Sequence, residues 1–180
     1  MREMAQADYA CASFVCDTNE NWNQNGENMQ GIKILCVGKV KEKYFRDGIE
    51  CYVRQVRRKY LMEIVECDDE PTPEGASAVM ERQIREKEGD RLLQKIQEGD
   101  YVIALCIDGK HYSSDVWRER MQKCACRISG SLVFVIGGSL GLSDAVVKRA
   151  DEKLSFSAMT FPHQMMRMIL CEQIAGIFTD

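Results

Sequence analysis

Three glycines fall within five residues at Gly137, Gly138 and Gly141, directly after the apolar run 132–136. Glycine has no Cβ, so such a loop reaches positive φ and lets a ligand approach the backbone. The helix start expected at Ser143 adds N–H groups without intrahelical partners. A tight strand-to-helix turn is the other reading of the same residues. A dinucleotide fingerprint does not fit, because it belongs after the first strand with an acid about 20 residues on. The first strand is followed instead by Val37-Gly38-Lys39-Val40. A P-loop G-x-x-x-x-G-K-[ST] does not occur either.

Other chemistries have thinner support. There are two histidines, His111 and His163, too few for an obvious Ser-His-Asp constellation. A histidine following Pro162 at a helix start reads first as structural. Met165, Met166 and Met168 read as core or interface, since methionine fills irregular apolar gaps. Paired carboxylates for acid–base work are not evident. The nine cysteines form no C-x-x-C, and Cys124-x-Cys126 is too tight for a zinc frame. Cys36, Cys106 and Cys171 sit in apolar runs, as reduced, buried thiols do. No metal site is expected.

These residues need a scaffold, and the chain supplies one by alternation. Runs 32–37, 61–67, 101–107, 132–136 and 153–157 are strand-like, and 101–107 and 132–136 are continuous enough for strands buried on both faces. Between them, 43–60 carries Phe45, Ile49, Val53 and Val56 at helical spacing. Residues 77–97 form a long charged helix stopped at Gly99-Asp100, and a helix capped by Ser113 or Ser114 runs to Cys126. Asp108-Gly109 is expected to turn the chain. Ser143 caps a short helix to Ala150, and Pro162 opens a last one to Ile177. The pattern predicts an α/β fold with a mainly parallel sheet flanked by helices. Ligands of such sheets collect at the carboxyl ends of strands. Three of these ends are informative: 105–110, 137–142 and 157–162.

The chain has 180 residues, 45% of them hydrophobic, enough for one domain of residues 31–180 with a core. No apolar run approaches the roughly 20 residues of a membrane span, and no signal-like apolar stretch follows Arg2, so a cytoplasmic protein is expected. Residues 1–30 are Asn-rich and acidic, without apolar periodicity, and read as a disordered or spurious extension. They hold Arg2 against Glu3, Asp8, Asp17, Glu20 and Glu27, which leaves the rest of a chain of net charge −4 neutral. The basic clusters Lys39-Lys41-Lys43 and Arg54-Arg57-Arg58-Lys59 read as solvated faces. Charge does not decide the partner.

Together VGKVKEKYF (37–45), EKEGDRLL (86–93), ALCIDGK (104–110), FVIGGSLGLS (134–143) and LSFSAMTFPHQMMRMIL (154–170) resemble the bacterial ribosomal RNA large-subunit methyltransferase H family, of the SPOUT class. The resemblance is collinear over residues 31–174. It implies a homodimer whose sheet ends in a C-terminal trefoil knot. It also implies S-adenosylmethionine as cofactor and methylation of N3 of a pseudouridine in 23S rRNA of the assembled ribosome, with neither DNA nor membrane as partner. By motif, the cofactor positions are Leu105, Gly137, Phe156, Ser157, Ala158, Met159, Thr160 and Phe161. No catalytic base is assigned; Asp108 stands at a strand end but in a turn-forming pair. The family continues its last helix through a Tyr-Arg pair into a basic Tyr-His tail that contributes to the active site, whereas Ala175-Gly176-Ile177-Phe178-Thr179-Asp180 departs from it. That departure implies an effect on catalysis before cofactor binding. The alternative is a non-catalytic scaffold or nucleotide-binding dimer.

Overall fold

A strand covered by helices on both faces must be apolar at every position, and Ser131–Ile136 is buried throughout. In the computed structural model, which describes residues 29–179, this strand is β4, in the middle of a five-stranded sheet. The others are β1 (Gly31–Val37), β2 (Met62–Cys67), β3 (Tyr101–His111) and β5 (Glu152–Ser155). Their order is β2-β1-β4-β3-β5, and every pairing is parallel. The chain builds β1 and β2, moves across to β3, returns to fill the gap with β4, and leaves to the edge as β5.

The two faces follow from side-chain alternation. Ile32, Ile34 and Cys36 of β1, with Leu132, Phe134 and Ile136 of β4, join a core shared with α1 (Lys43–Val56), α3 (Ser114–Ala125) and α5 (His163–Phe178). Leu35, Val37, Val133 and Val135 face the opposite way, toward Leu92 of α2 (Ala78–Leu93) and Val146 of α4 (Asp144–Arg149). Serines start three helices as N-caps. Ser77, Ser113 and Ser143 accept from the backbone N–H groups of Met80, Val116 and Val146. A cap of this kind contributes about 1 kcal/mol.

Some expectations move. α1 stops at Val56 rather than at residue 60, and α2 at Leu93 rather than at 97. Asp108-Gly109 does not end β3. The strand runs on to His111, and β5 pairs with it twice, Leu154 facing Leu105 and then Lys110, with residues 106–109 out of register between them. Gly109 is needed there because a Cβ would stand 2.5 Å from the Leu154 carbonyl carbon. The divergent residues 175–178 remain helical, with Ala175, Ile177 and Phe178 buried and Phe178 edge-on to Tyr60. No described helix is long and apolar enough to cross a membrane.

β5 has four residues, and its first is held by side chains. Burial would raise the Glu152 carboxyl, but hydrogen bonds from Arg120 and Tyr112, with a weaker one from Tyr101, hold it below its usual range. The depressed value means that this stability is present above the ordinary carboxylate range and lost as pH falls through the folded-state value. Acid unfolding of Glu152→Gln should therefore show a shallower loss of stability with falling pH than the wild type, measured by urea titration at stepped pH.

α5 is tied down by Arg167, a guanidinium with no exposed surface. It donates to the carbonyls of Val37 and Gly38 at the end of β1 and, at 3.0 Å, to Glu66 of β2. Cys36 of β1 and Cys171, one turn further along α5, lie buried in the same layer; desolvation pushes both thiols up to about 12. Removing one partner of a buried pair costs about 3–5 kcal/mol. Arg167→Met should lose stability of that order in urea unfolding, and far more than Arg46→Met on the exposed face of α1.

Candidate functional site

The carboxyl ends of β4 and β5 and the irregular middle of β3 meet the first turn of α5 around one cavity of about 490 Å³. β3 contributes Leu105, Cys106 and Ile107. The segment after β4 contributes residues 137–141. The segment after β5 contributes 156–157 and 159–162, and α5 adds His163 and Met166. Seven of the eight positions singled out from the sequence line this cavity: Leu105, Gly137, Phe156, Ser157, Met159, Thr160 and Phe161. Ala158 is exposed and is not among the lining residues.

The glycines act differently from the expectation. Only Gly141 has a positive φ, 83°. Gly137 is required by packing, and Gly138 is tightly packed. A Cβ on Gly137 would stand 2.6 Å from the Gly141 carbonyl carbon, and one on Gly138 would press on Val37 at 3.1 Å and Glu88 at 3.2 Å. The loop closes on itself, with Gly138 bridged to Gly141 and the Gly141 N–H donating to the Gly138 carbonyl at 3.1 Å. Gly137 thus permits the turn itself to close, before any ligand is considered.

Gly137-Gly138-Ser139-Leu140-Gly141 also has the G-x-S-x-G spacing of a nucleophile elbow. Ser139 lacks the strained backbone of that motif, since no described non-glycine residue has positive φ. No described hydrogen bond joins it to His163. The spacing arises from the closed turn.

The opposite wall is held from behind. Phe156 meets Trp117 edge-on at 5.9 Å, and Trp117 meets Phe134 of β4 at 6.0 Å, which fixes the start of the 156–162 segment to the core. Ser157 then accepts from the Met159 N–H at 3.0 Å in a local turn. Met159 and Ile107 stay exposed, by 70% and 57%. They leave an apolar rim. Gln164 accepts from the Lys41 N–H at 2.9 Å, binding the first turn of α5 to the segment after β1.

Titratable groups are scarce around the cavity. Burial, then the charge of Arg167, pushes His163 below its ordinary value despite Asp69, so it is neutral at pH 7. Burial raises the Cys106 thiol, which stays protonated. Asp108 lies outside the lining residues. Its exposed carboxylate is bound by Lys153 at 2.5 Å and held below its usual range by that contact, so it is poorly suited to accept a proton. Among the described residues no group of three or more His, Cys, Asp or Glu is placed to hold a metal. His163 and Glu88 are the residues the sequence did not single out. The proline–histidine pair at a helix opening was the available signal for the first, and nothing local marks the second.

The family model described as a predicted SPOUT methyltransferase matches residues 29–179, every described position. The chain belongs to the SPOUT methyltransferase family. It is 52% identical over 143 residues to the ribosomal RNA large subunit methyltransferase H of Clostridioides difficile (strain 630), covering 79% of this chain and 90% of that one. The protein of the same description from Streptococcus thermophilus (strain CNRZ 1066) is 46% identical over 147 residues, 82% and 92% of the two chains. That from Limosilactobacillus reuteri (strain DSM 20016) is 48% identical over 148 residues, 82% and 93%. The fold expected from the motifs is therefore the fold of a SPOUT methyltransferase, with a parallel sheet and helices on both faces.

For this SPOUT domain the glycine geometry separates two substitutions. Gly137→Ala must open the turn against backbone, whereas Gly141→Ala meets empty space and carries only the left-handed strain of about 1 kcal/mol. Thermal unfolding should show a clearly larger loss for Gly137→Ala. Equal losses would mean that the turn relaxes at little cost.

Proposed function

We propose that this chain transfers a methyl group from S-adenosylmethionine to N3 of a pseudouridine in 23S rRNA within the assembled ribosome. The observation that carries the reading is the meeting of the three motif-bearing strand ends on one cavity of about 490 Å³, within the range of small-molecule sites. The curated relatives named as ribosomal RNA large subunit methyltransferases support the substrate class.

The residues present fit the cofactor. Leu105, Leu140, Met159 and Phe161 offer apolar walls for a nucleoside, and the glycine turn presents backbone rather than side chains. Bound S-adenosylmethionine supplies an activated methyl on sulfur and requires no metal. What the chain does is hold, orient and exclude water, which is where displacement between two bound reactants gains its rate. The proton on N3 has to leave. His163, neutral and at the cavity wall, carries one unprotonated ring nitrogen that can accept it, a weaker base than a free imidazole because burial and Arg167 disfavour the charged form.

The same reading includes a cytoplasmic homodimer and a knotted C-terminal portion. The exposed apolar rim of Ile107 and Met159 supports a second copy beside the cavity. The return of the chain to place β4 between β1 and β3 before β5 supports the knot. Because the segment after residue 30 is neutral overall, a composite ribosomal surface suits it better than naked RNA, whose binding scales with the phosphates neutralised.

Tritiated methyl transfer to ribosomes lacking the modification tests this. Incorporation is expected with ribosomes and is expected to be far weaker with protein-free 23S rRNA. No incorporation together with no calorimetric binding of S-adenosylmethionine would sink the proposal. Binding without transfer would single out the departing residues 175–180 and favour the non-catalytic alternative.

A further inference from the structure

Four carboxylates stand out in the interior or at its margin, and three have clear partners. Asp100 accepts from Ser131 and Gln97, Glu152 is gripped by Arg120, and Glu66 receives Arg167. Glu88 of α2 is different. It is 4% exposed, its Oε1 accepts a single hydrogen bond from the Glu70 N–H at 3.0 Å, and its Oε2 is buried without a partner.

Its position is as unusual as its lack of partners. Oε2 lies 3.2 Å from where a Cβ on Gly138 would stand, so the carboxyl group rests against the glycine turn on the side away from the cavity. The next residue, Gly89, meets the far end of the same loop: a Cβ there would fall 2.1 Å from the Ser143 Oγ. Two consecutive residues of α2 therefore underlie both ends of the segment 138–143. Neither belongs to the cavity lining.

The charged groups facing Glu88 are of both signs. Asp69 and Glu70 come from the segment after β2, and Arg91 from α2 itself. Residues 137–143 carry no ionisable side chain, and β1 offers Val37. Arg91 is already engaged with Glu70 and the Asp68 carbonyl. Burial pushes the Glu88 carboxyl above its usual range. The Glu70 N–H and Arg91 oppose that shift, while Asp69 and Glu70 add to it. A buried carboxylate with one neutral donor costs more than the neutral acid at the same place, although Oε2 lacks a partner in either form.

We propose that the buried side chain of Glu88, resting against Gly138, is the positioning residue that sets the 137–142 turn over the sheet and so shapes the cavity that the turn borders. The consequence for ligand binding rests on the reading of that cavity as the S-adenosylmethionine site. On ionisation the carboxylate leaves Gly138 and swings toward Arg91 and solvent, and the turn loses its floor.

The test is amide hydrogen exchange of residues 138–142 in the full chain between about pH 5 and pH 8, corrected for intrinsic exchange. In the wild type the protection of these amides is expected to fall by about fivefold across the interval as Glu88 ionises. Glu88→Gln, which has the shape of the acid and cannot ionise, should hold the acid-side protection throughout. His163 titrates in both proteins and cancels in the comparison. A flat wild-type profile, or the same slope in Glu88→Gln, overturns the proposal. A flat wild-type profile overturns the proposal even if the variant fails to fold.

Calorimetric titration with S-adenosylhomocysteine, which lacks the sulfonium charge, reads the cavity separately. Its affinity should follow the loop protection in the wild type and be independent of pH in Glu88→Gln. Affinity that ignores the loop would overturn the claim about cavity shape. No binding at any pH, with the exchange result intact, would leave Glu88 as the positioner of the turn and remove the cofactor reading instead.

Discussion

The buried guanidinium of Arg167 is the contact on which the arrangement of strand ends depends. It satisfies two carbonyls that β1 leaves open at its carboxyl end and pairs with Glu66 of β2, all from the second turn of α5. A fully desolvated charge is tolerated only where its donors are largely met, and here Nε alone lacks a partner. The geometry leaves α5 little freedom. Its first turn is pinned beside β1, Gln164 holds the segment after that strand, and the residues between β5 and α5 must run over the ends of β3 and β4. The cavity is the space left by that route.

Most of this was readable in the chain because periodicity reports burial directly. The continuous run of β4 and the 3.6-residue spacing of Phe45, Ile49, Val53 and Val56 each had one structural solution, and the serine caps marked helix starts within a residue. The misses share a cause. Asp108-Gly109 has local turn chemistry, but β5 pairs with β3 on both sides of it, and tertiary pairing overrode the local signal. Gly137 and Gly138 look like positions kept open for a ligand. Only the fold shows that Gly141, Val37 and Glu88 occupy the space a Cβ would need. Ala158 sits inside a motif whose neighbours line the cavity while it does not, and no pattern in the sequence states which residues of a turn form a wall.

The cavity itself is chemically quiet. Its walls are apolar side chains, backbone and the hydroxyls of Ser139, Ser155, Ser157 and Thr160, one neutral histidine is present, and the ion pair of Asp108 with Lys153 lies outside the lining set. That composition suits a reaction in which the cofactor brings the reactivity and the protein supplies orientation and dryness.

Cys36 and Cys171 give the molecule an internal reporter. One sits on β1 and the other on α5, on the two elements that Arg167 joins, and both thiols are pushed up to about 12. At neutral pH a negligible fraction is thiolate, and neither sulfur is reachable while the helix stays down. Cys51 on α1, by contrast, is exposed and open to alkylating reagents in the native state. The two interior sulfurs react only when α5 lifts from the sheet. Their labelling rate is thus a clock for the opening of the layer beneath the cavity.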